Sequence, residues 1–95
     1  MNPTSANRCT HLHGELRMVQ HRAQDATSAA GAQRAALEQV EGRLAMQDLV
    51  PDELIKLLQL RLSLWDQIRT SEREVNLAGD HVQMVRAQLR AAGCR

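Results

Sequence analysis

Phenylalanine and tyrosine are absent from this chain of 95 residues, and Trp65 is its single aromatic side chain. β-Branched residues are sparse as well. Strands draw on Val, Ile, Thr and aromatics for cross-strand packing, so these absences exclude an all-β or α/β fold. No block of charge of one sign occurs either: the formal net charge is +1, and basic and acidic residues alternate through both halves. A nucleic-acid backbone binder needs a concentrated basic face, and an anionic-membrane anchor needs a basic cluster. The longest apolar-rich stretch, Leu54 to Ile68, is interrupted by Lys56, Gln59, Arg61 and Asp66. It cannot span a bilayer, which takes about 20 consecutive apolar residues. Met1 to Thr10 is polar and carries no apolar signal-peptide core. The expectation is a chain that is cytoplasmic as synthesised and, if exported, exported without a cleaved signal.

Catalytic signatures are lacking too. There is no nucleophile elbow, no phosphate-cradling glycine loop and no HExxH. The paired carboxylates have structural explanations: Asp52/Glu53 opens a helix, and Glu72/Glu74 lies on a solvated face near Arg69 and Arg73. His21 and His81 are single histidines among polar neighbours. No catalytic residue, cofactor or small-molecule substrate is therefore expected. Cys9, His11 and His13 form a C-x-H-x-H cluster, with Cys94 near the other terminus. These are acceptable zinc ligand types, but the spacing is not a common structural-zinc pattern, so no metal is assigned. Two cysteines do not make a disulfide framework, and both would be reduced in the cytoplasm. A Cys9–Cys94 bridge would require the fold to bring their Cα atoms within about 7 Å. Whether the two are free or paired stays open at this level.

What is abundant is Leu, Ala, Gln, Glu and Arg, all strong helix formers. The length allows one domain. Met1 to Cys9 reads as a flexible N-terminal lead-in, and residues 10–95 as one helical hairpin. A first helix is expected over residues 10–47. Its seam is Leu12, Leu16, Val19, Ala23, Ala26, Ala30, Gln33, Leu37, Val40 and Leu44. The spacings alternate four and three, a heptad pattern whose only polar member is Gln33. A break follows at residues 48–50. Pro51 suits a first helical position, and Asp52 and Glu53 favour the helix dipole. The second helix is expected over residues 51–92, stopping at Gly93. Its seam is Leu57, Leu64, Ile68, Val75, Ala78, Val82, Val85 and Leu89, with Arg61 and Ser71 in the remaining slots. Two long helices with a short link read as an antiparallel coiled-coil-like hairpin. If the first helix breaks near Gly31, the same pattern closes into three helices.

On a helical wheel, the apolar residues of Leu54 to Ile68 cover an arc of about 220°, whereas packing against one partner needs about 100°. The alanine-rich first helix cannot cover the remainder, and an apolar patch of this kind usually marks an interaction surface. Leu54, Leu58, Leu62, Trp65 and Ile68 are the candidate partner interface, with Trp65 as its largest anchor.

The segment from Asp48 to Gln59 (DLVPDELIKLLQ), followed by Leu62 and Trp65, resembles the second-helix start of the small helical subunits of bacterial type III secretion systems. In needle and inner-rod subunits, an Asp/Pro break leads into an apolar helix containing Leu-Gln, with an apolar residue three positions later and often an aromatic at six. Here these are Leu58-Gln59, Leu62 and Trp65. The resemblance spans Asp48 to Leu89. The Ala91-Ala92-Gly93-Cys94-Arg95 end and the long, alanine-rich first helix depart from it. The small needle co-chaperones of the same systems share the hairpin and its break. The resemblance implies a non-enzymatic secretion component: a needle or rod subunit that polymerises through its second helix, or a co-chaperone that covers an aggregation-prone protein partner. The alternative is a generic coiled-coil adaptor that dimerises through the Leu12-to-Leu44 seam.

Overall fold

The computed structural model describes residues 3–94, with side chains from residue 6 onward. It consists of two long helices, α1 (Pro3–Leu44) and α2 (Pro51–Ala91), with no strand among the described residues. The fold is an antiparallel helical hairpin. All ten seam positions of α1 are buried or half-buried, and so are all ten slots of α2, Arg61 and Ser71 included. The heptad alternation therefore selects the faces that each helix turns inward.

α1 differs from the sequence-based expectation at three points, and α2 ends at Ala91, one residue early. α1 reaches back to Pro3, so the lead-in expected up to Cys9 is helical from there; residues 1–2 lie outside the described residues. A disulfide from Cys9 to Cys94 ties this end of α1 down. α1 also ends at Leu44 rather than Gln47, because Arg43 in its last turn reaches forward to Asp48 and Glu53 and draws the chain into the link. Finally, α1 runs unbroken through Gly31. Ala29, Ala30 and Ala32 around it are the best helix formers, and Ala30 is buried in the seam. Gly31 is exposed, and a Cβ built there meets nothing within 4 Å.

Contacts divide the chain into two units. The terminal unit comprises the residues up to Asp25 and those from Glu74 onward. Its core is Leu12 and Val19 of α1 with Val82, Val85 and Leu89 of α2, and Val85 is fully enclosed. Leu16, Ala92 and Cys94 pack against this cluster. A disulfide joins Cys9 to Cys94, with Cα atoms 5.7 Å apart. The end of α2 sets up this bond. Gly93 takes φ +72°, its N–H donates to the Arg90 carbonyl, and the Cys94 N–H donates to the Leu89 carbonyl. This is the Schellman arrangement, which requires a left-handed residue at the position Gly93 fills. It turns the chain back so that Cys94 meets Cys9.

The loop unit, Ala26–Arg73, buries Ala26, Ala30, Val40, Leu64 and Ser71. Besides Arg61, its seam contains one hydrogen-bonded polar contact. The Ser71 hydroxyl donates to Gln33 Oε1 at 2.7 Å, so the single polar member of the α1 seam meets one of the two polar slots of α2. Outside the seam, Arg34 pairs with Glu72 on one flank, and Arg43 binds Glu53 on the other through Nε (2.6 Å) and Nη2 (3.0 Å).

Closing a loop of 85 residues in the unfolded chain removes entropy from the denatured state. Cys9→Ser is expected to lower the unfolding free energy by about 2–4 kcal/mol, and dithiothreitol should do the same to the wild type; urea melts followed by circular dichroism measure both. Gly31→Ala should instead stabilise the helix by up to about 1 kcal/mol, since the added methyl meets open space. A destabilised Gly31→Ala variant in the same melts would show that glycine is needed where it stands.

Candidate protein interface

Call the seam positions a and d, so that e follows d, and b follows a. In the loop unit, Arg34 and Glu72 are both e residues and pair across the hairpin, while Arg43 and Glu53 are g residues and pair on the opposite flank. The hairpin therefore has a distinct e flank. On α2 the e and b positions of that flank hold Ile55, Leu58, Leu62 and Trp65. Further along the helix, the same rows hold Arg69, Glu72 and Asn76. The apolar stripe is confined to the start of α2 and stops at the Arg34–Glu72 pair.

These side chains are left open. Leu54 is 39% exposed, Leu58 36%, Trp65 40%, Ile55 54% and Leu62 58%. Of the five residues named from the sequence, Leu58, Leu62 and Trp65 lie on the exposed stripe; Leu54 is exposed beside it, one heptad before Arg61, and Ile68 is half-buried in the seam. Ile55 belongs to the stripe, and the signal for it was available: it stands three residues before Leu58, which continues the three-four spacing of a second seam. Leu60 is exposed on the g side.

Arg61 is the polar element of this surface. It occupies an a position, where its aliphatic stem lies in the seam. Its guanidinium carbon stands 4.7 Å from the centroid of the Trp65 ring. The face of an indole attracts a cation, and Trp65 remains 40% exposed beside Arg61. Arg61 Nε is buried with no hydrogen-bond partner, and no carboxylate pairs with Arg61 among the described residues. Burying an N–H without a partner costs about 1–3 kcal/mol.

The start of α2 is fixed by electrostatics. The hydrogen bonds from Arg43 hold the Glu53 carboxyl below its ordinary range, against the opposing effect of desolvation, and they raise the Arg43 guanidinium in turn. Asp48 adds a third contact to Arg43 at 3.2 Å. The hydrogen bond from the Leu54 N–H to the Val50 carbonyl (3.0 Å) opens the helix at Pro51.

The other sites considered from the sequence do not assemble. Cys9 and Cys94 are joined to each other, and among the described residues no group of three His, Cys, Asp or Glu side chains is placed to hold a metal ion. His81 faces Glu15 at 3.4 Å and His21 faces Asp25 at 3.5 Å, both on the hairpin surface. A shallow groove lined by Arg22, Glu74, Leu77, Ala78 and His81 lies in the terminal unit. Among the described residues no helix is long and apolar enough to cross a membrane. Comparison with protein-family models, with curated proteins and with solved structures finds no match to this chain.

Because the folded carboxyl of Glu53 is lowered relative to the unfolded chain, its link to Arg43 stabilises fully above the usual glutamate range and is lost as the pH falls through the lowered value. The link is half in solvent and its contribution is screened accordingly. Wild-type protein should therefore lose thermal stability between about pH 5 and pH 3, and Glu53→Gln should lose less over that range. Equal acid sensitivity in the two proteins, read from the melting temperature, would remove Glu53 as a source of it.

Proposed function

We propose that this chain is a non-enzymatic protein–protein assembly component that docks through the exposed stripe of α2. One observation carries the reading. Both helices have filled their seams with each other, and a further row of large apolar side chains on α2 remains in water. A row of Leu, Ile and Trp open to solvent on one flank of a helix is the usual mark of a contact surface, and Trp65, stacked with Arg61, has the composition of an anchor.

The narrower reading is a component of a type III protein secretion apparatus: a needle or inner-rod subunit, or a needle co-chaperone. It rests on the resemblance over Asp48 to Leu89. The helical hairpin and the helix start at Pro51 suit that class. The Cys9–Cys94 bond favours the exported alternatives over a chain that stays in the cytoplasm, where thiol reductants would open it. An adaptor that dimerises through the Leu12-to-Leu44 seam is less well supported, since α2 already covers that seam and would first have to be stripped away.

Replacing Leu58 and Trp65 together by Lys puts two charges on the stripe while leaving the seam intact. The variant should keep wild-type helicity by circular dichroism and stay monomeric by light scattering at concentrations where the wild type associates, with itself or with needle-type subunits encoded beside it. Undiminished association by a folded double variant would sink the reading. A gene neighbourhood with no secretion components would sink its narrower form.

A further inference from the structure

We infer that the occupant of the α2 stripe is a second copy of this chain, paired antiparallel, α2 against α2, around a two-fold axis between Leu58 and Leu62. The inference rests on the reading of the stripe as an assembly surface and names what covers it.

The stripe has the form of a second heptad seam. Ile55, Leu58, Leu62 and Trp65 are spaced three, four and three, which is the pattern that one helix presents to another. It is also self-complementary. In the antiparallel register Leu58 meets Leu62 of the second copy and Ile55 meets its Trp65, so each layer joins a larger residue to a smaller one or two leucines. An isologous pair needs this property, because the same patch must serve both sides.

Charge decides the direction. Flanking the stripe is the row Asp52, Gln59, Asp66, Arg73, each seven residues apart on the outer face. Asp66 has Arg69 as a loose partner at 3.9 Å. Asp52 and Arg73, at the two ends of the row, are exposed and have no ion-pair partner among the described residues. Within the hairpin, Arg34 and Glu72 show how flanking residues stand relative to an antiparallel seam. Carried over to the second seam, that relation places Asp52 of each chain against Arg73 of the other, twice by symmetry, and Gln59 against Asp66. A parallel pairing would set this row against the inner edge of the partner's stripe, Leu54, Arg61 and Ile68, and would leave Asp52 and Arg73 without each other. Arg61, behind Trp65, closes the inner edge of the contact. Such a pair is closed and has no free stripe left, so it is a two-chain unit; a subunit that polymerises would have to open it first.

The test uses the full, disulfide-bonded chain in sedimentation equilibrium at low salt. The wild type should rise with concentration to twice the 10.6 kDa of one chain and no further. Leu62→Lys should remain a helical monomer. Asp52→Arg and Arg73→Asp should each weaken the dimer about tenfold, and the two together should restore it to within about threefold of the wild type. A double variant no tighter than the singles overturns the antiparallel register. A wild type that stays monomeric, or that grows into trimers or filaments abolished by Leu62→Lys, overturns the second copy as occupant and leaves the stripe as an assembly surface for something else. Dimers unaffected by Leu62→Lys overturn this inference and the assembly reading together.

Discussion

One hydrogen bond inside the seam sets the terms for the loop unit: the Ser71 hydroxyl on the Gln33 amide oxygen. A seam made only of Leu, Val and Ala tolerates sliding by a heptad, because each layer looks much like the next. A single polar layer removes that freedom, since a slipped register would bury both groups without partners. With Gln33 facing Ser71, Arg34 comes to Glu72; Arg43, further along α1, comes to Glu53, which fixes the first turn of α2. The same register leaves the e flank of early α2 without cover, because α1 supplies Arg34 and Glu41 there rather than large apolar residues.

The seam itself is thin. Ala23, Ala26 and Ala30 of α1 and Ala78 of α2 stand where a stronger coiled coil would carry leucine. Each removes far less apolar surface from water than Leu does, and a chain of this size has little other core to draw on. The Cys9–Cys94 bond offsets this from the unfolded side, by narrowing the denatured ensemble. The Schellman turn at Gly93 is what makes the bond reachable, and Leu89 serves twice: its carbonyl accepts the Cys94 N–H, and its side chain closes the core against which Cys94 packs. Capping, packing and cross-link thus depend on the same few residues.

The hairpin was legible in the sequence to the level of individual slots. Every seam position named from the four-three alternation is buried or half-buried, and the polar intruders Gln33, Arg61 and Ser71 fall where that spacing requires. Period is a strong signal because burial enforces it residue by residue. Ends are weaker signals. Nothing local says that Cys9 will be tied down, so the reach of α1 back to Pro3 depended on an 85-residue separation that no window can see. Gly31 looked like a break because glycine lowers helix propensity, but α2 packs on Ala30 beside it and the tertiary contact wins. The exposed stripe was partly legible: the wheel marked an arc wider than one partner needs, and Ile68 was named both in the α2 seam and in the interface, but the wheel alone could not separate the two roles; the fold leaves Ile68 half-buried and Ile55 exposed.

The choice of Arg61 for a seam position connects these threads. Leucine there would complete the seam, remove an orphaned buried N–H and strengthen the hairpin. Arginine instead places a cation over the Trp65 ring. A ring restrained by a cation on one side has less side-chain entropy to lose when a partner covers it, and Trp65 is 40% exposed. An anchor restrained in advance and flanked by Leu58 and Leu62 is of little use to an isolated hairpin. It makes physical sense when the stripe is completed by another helix.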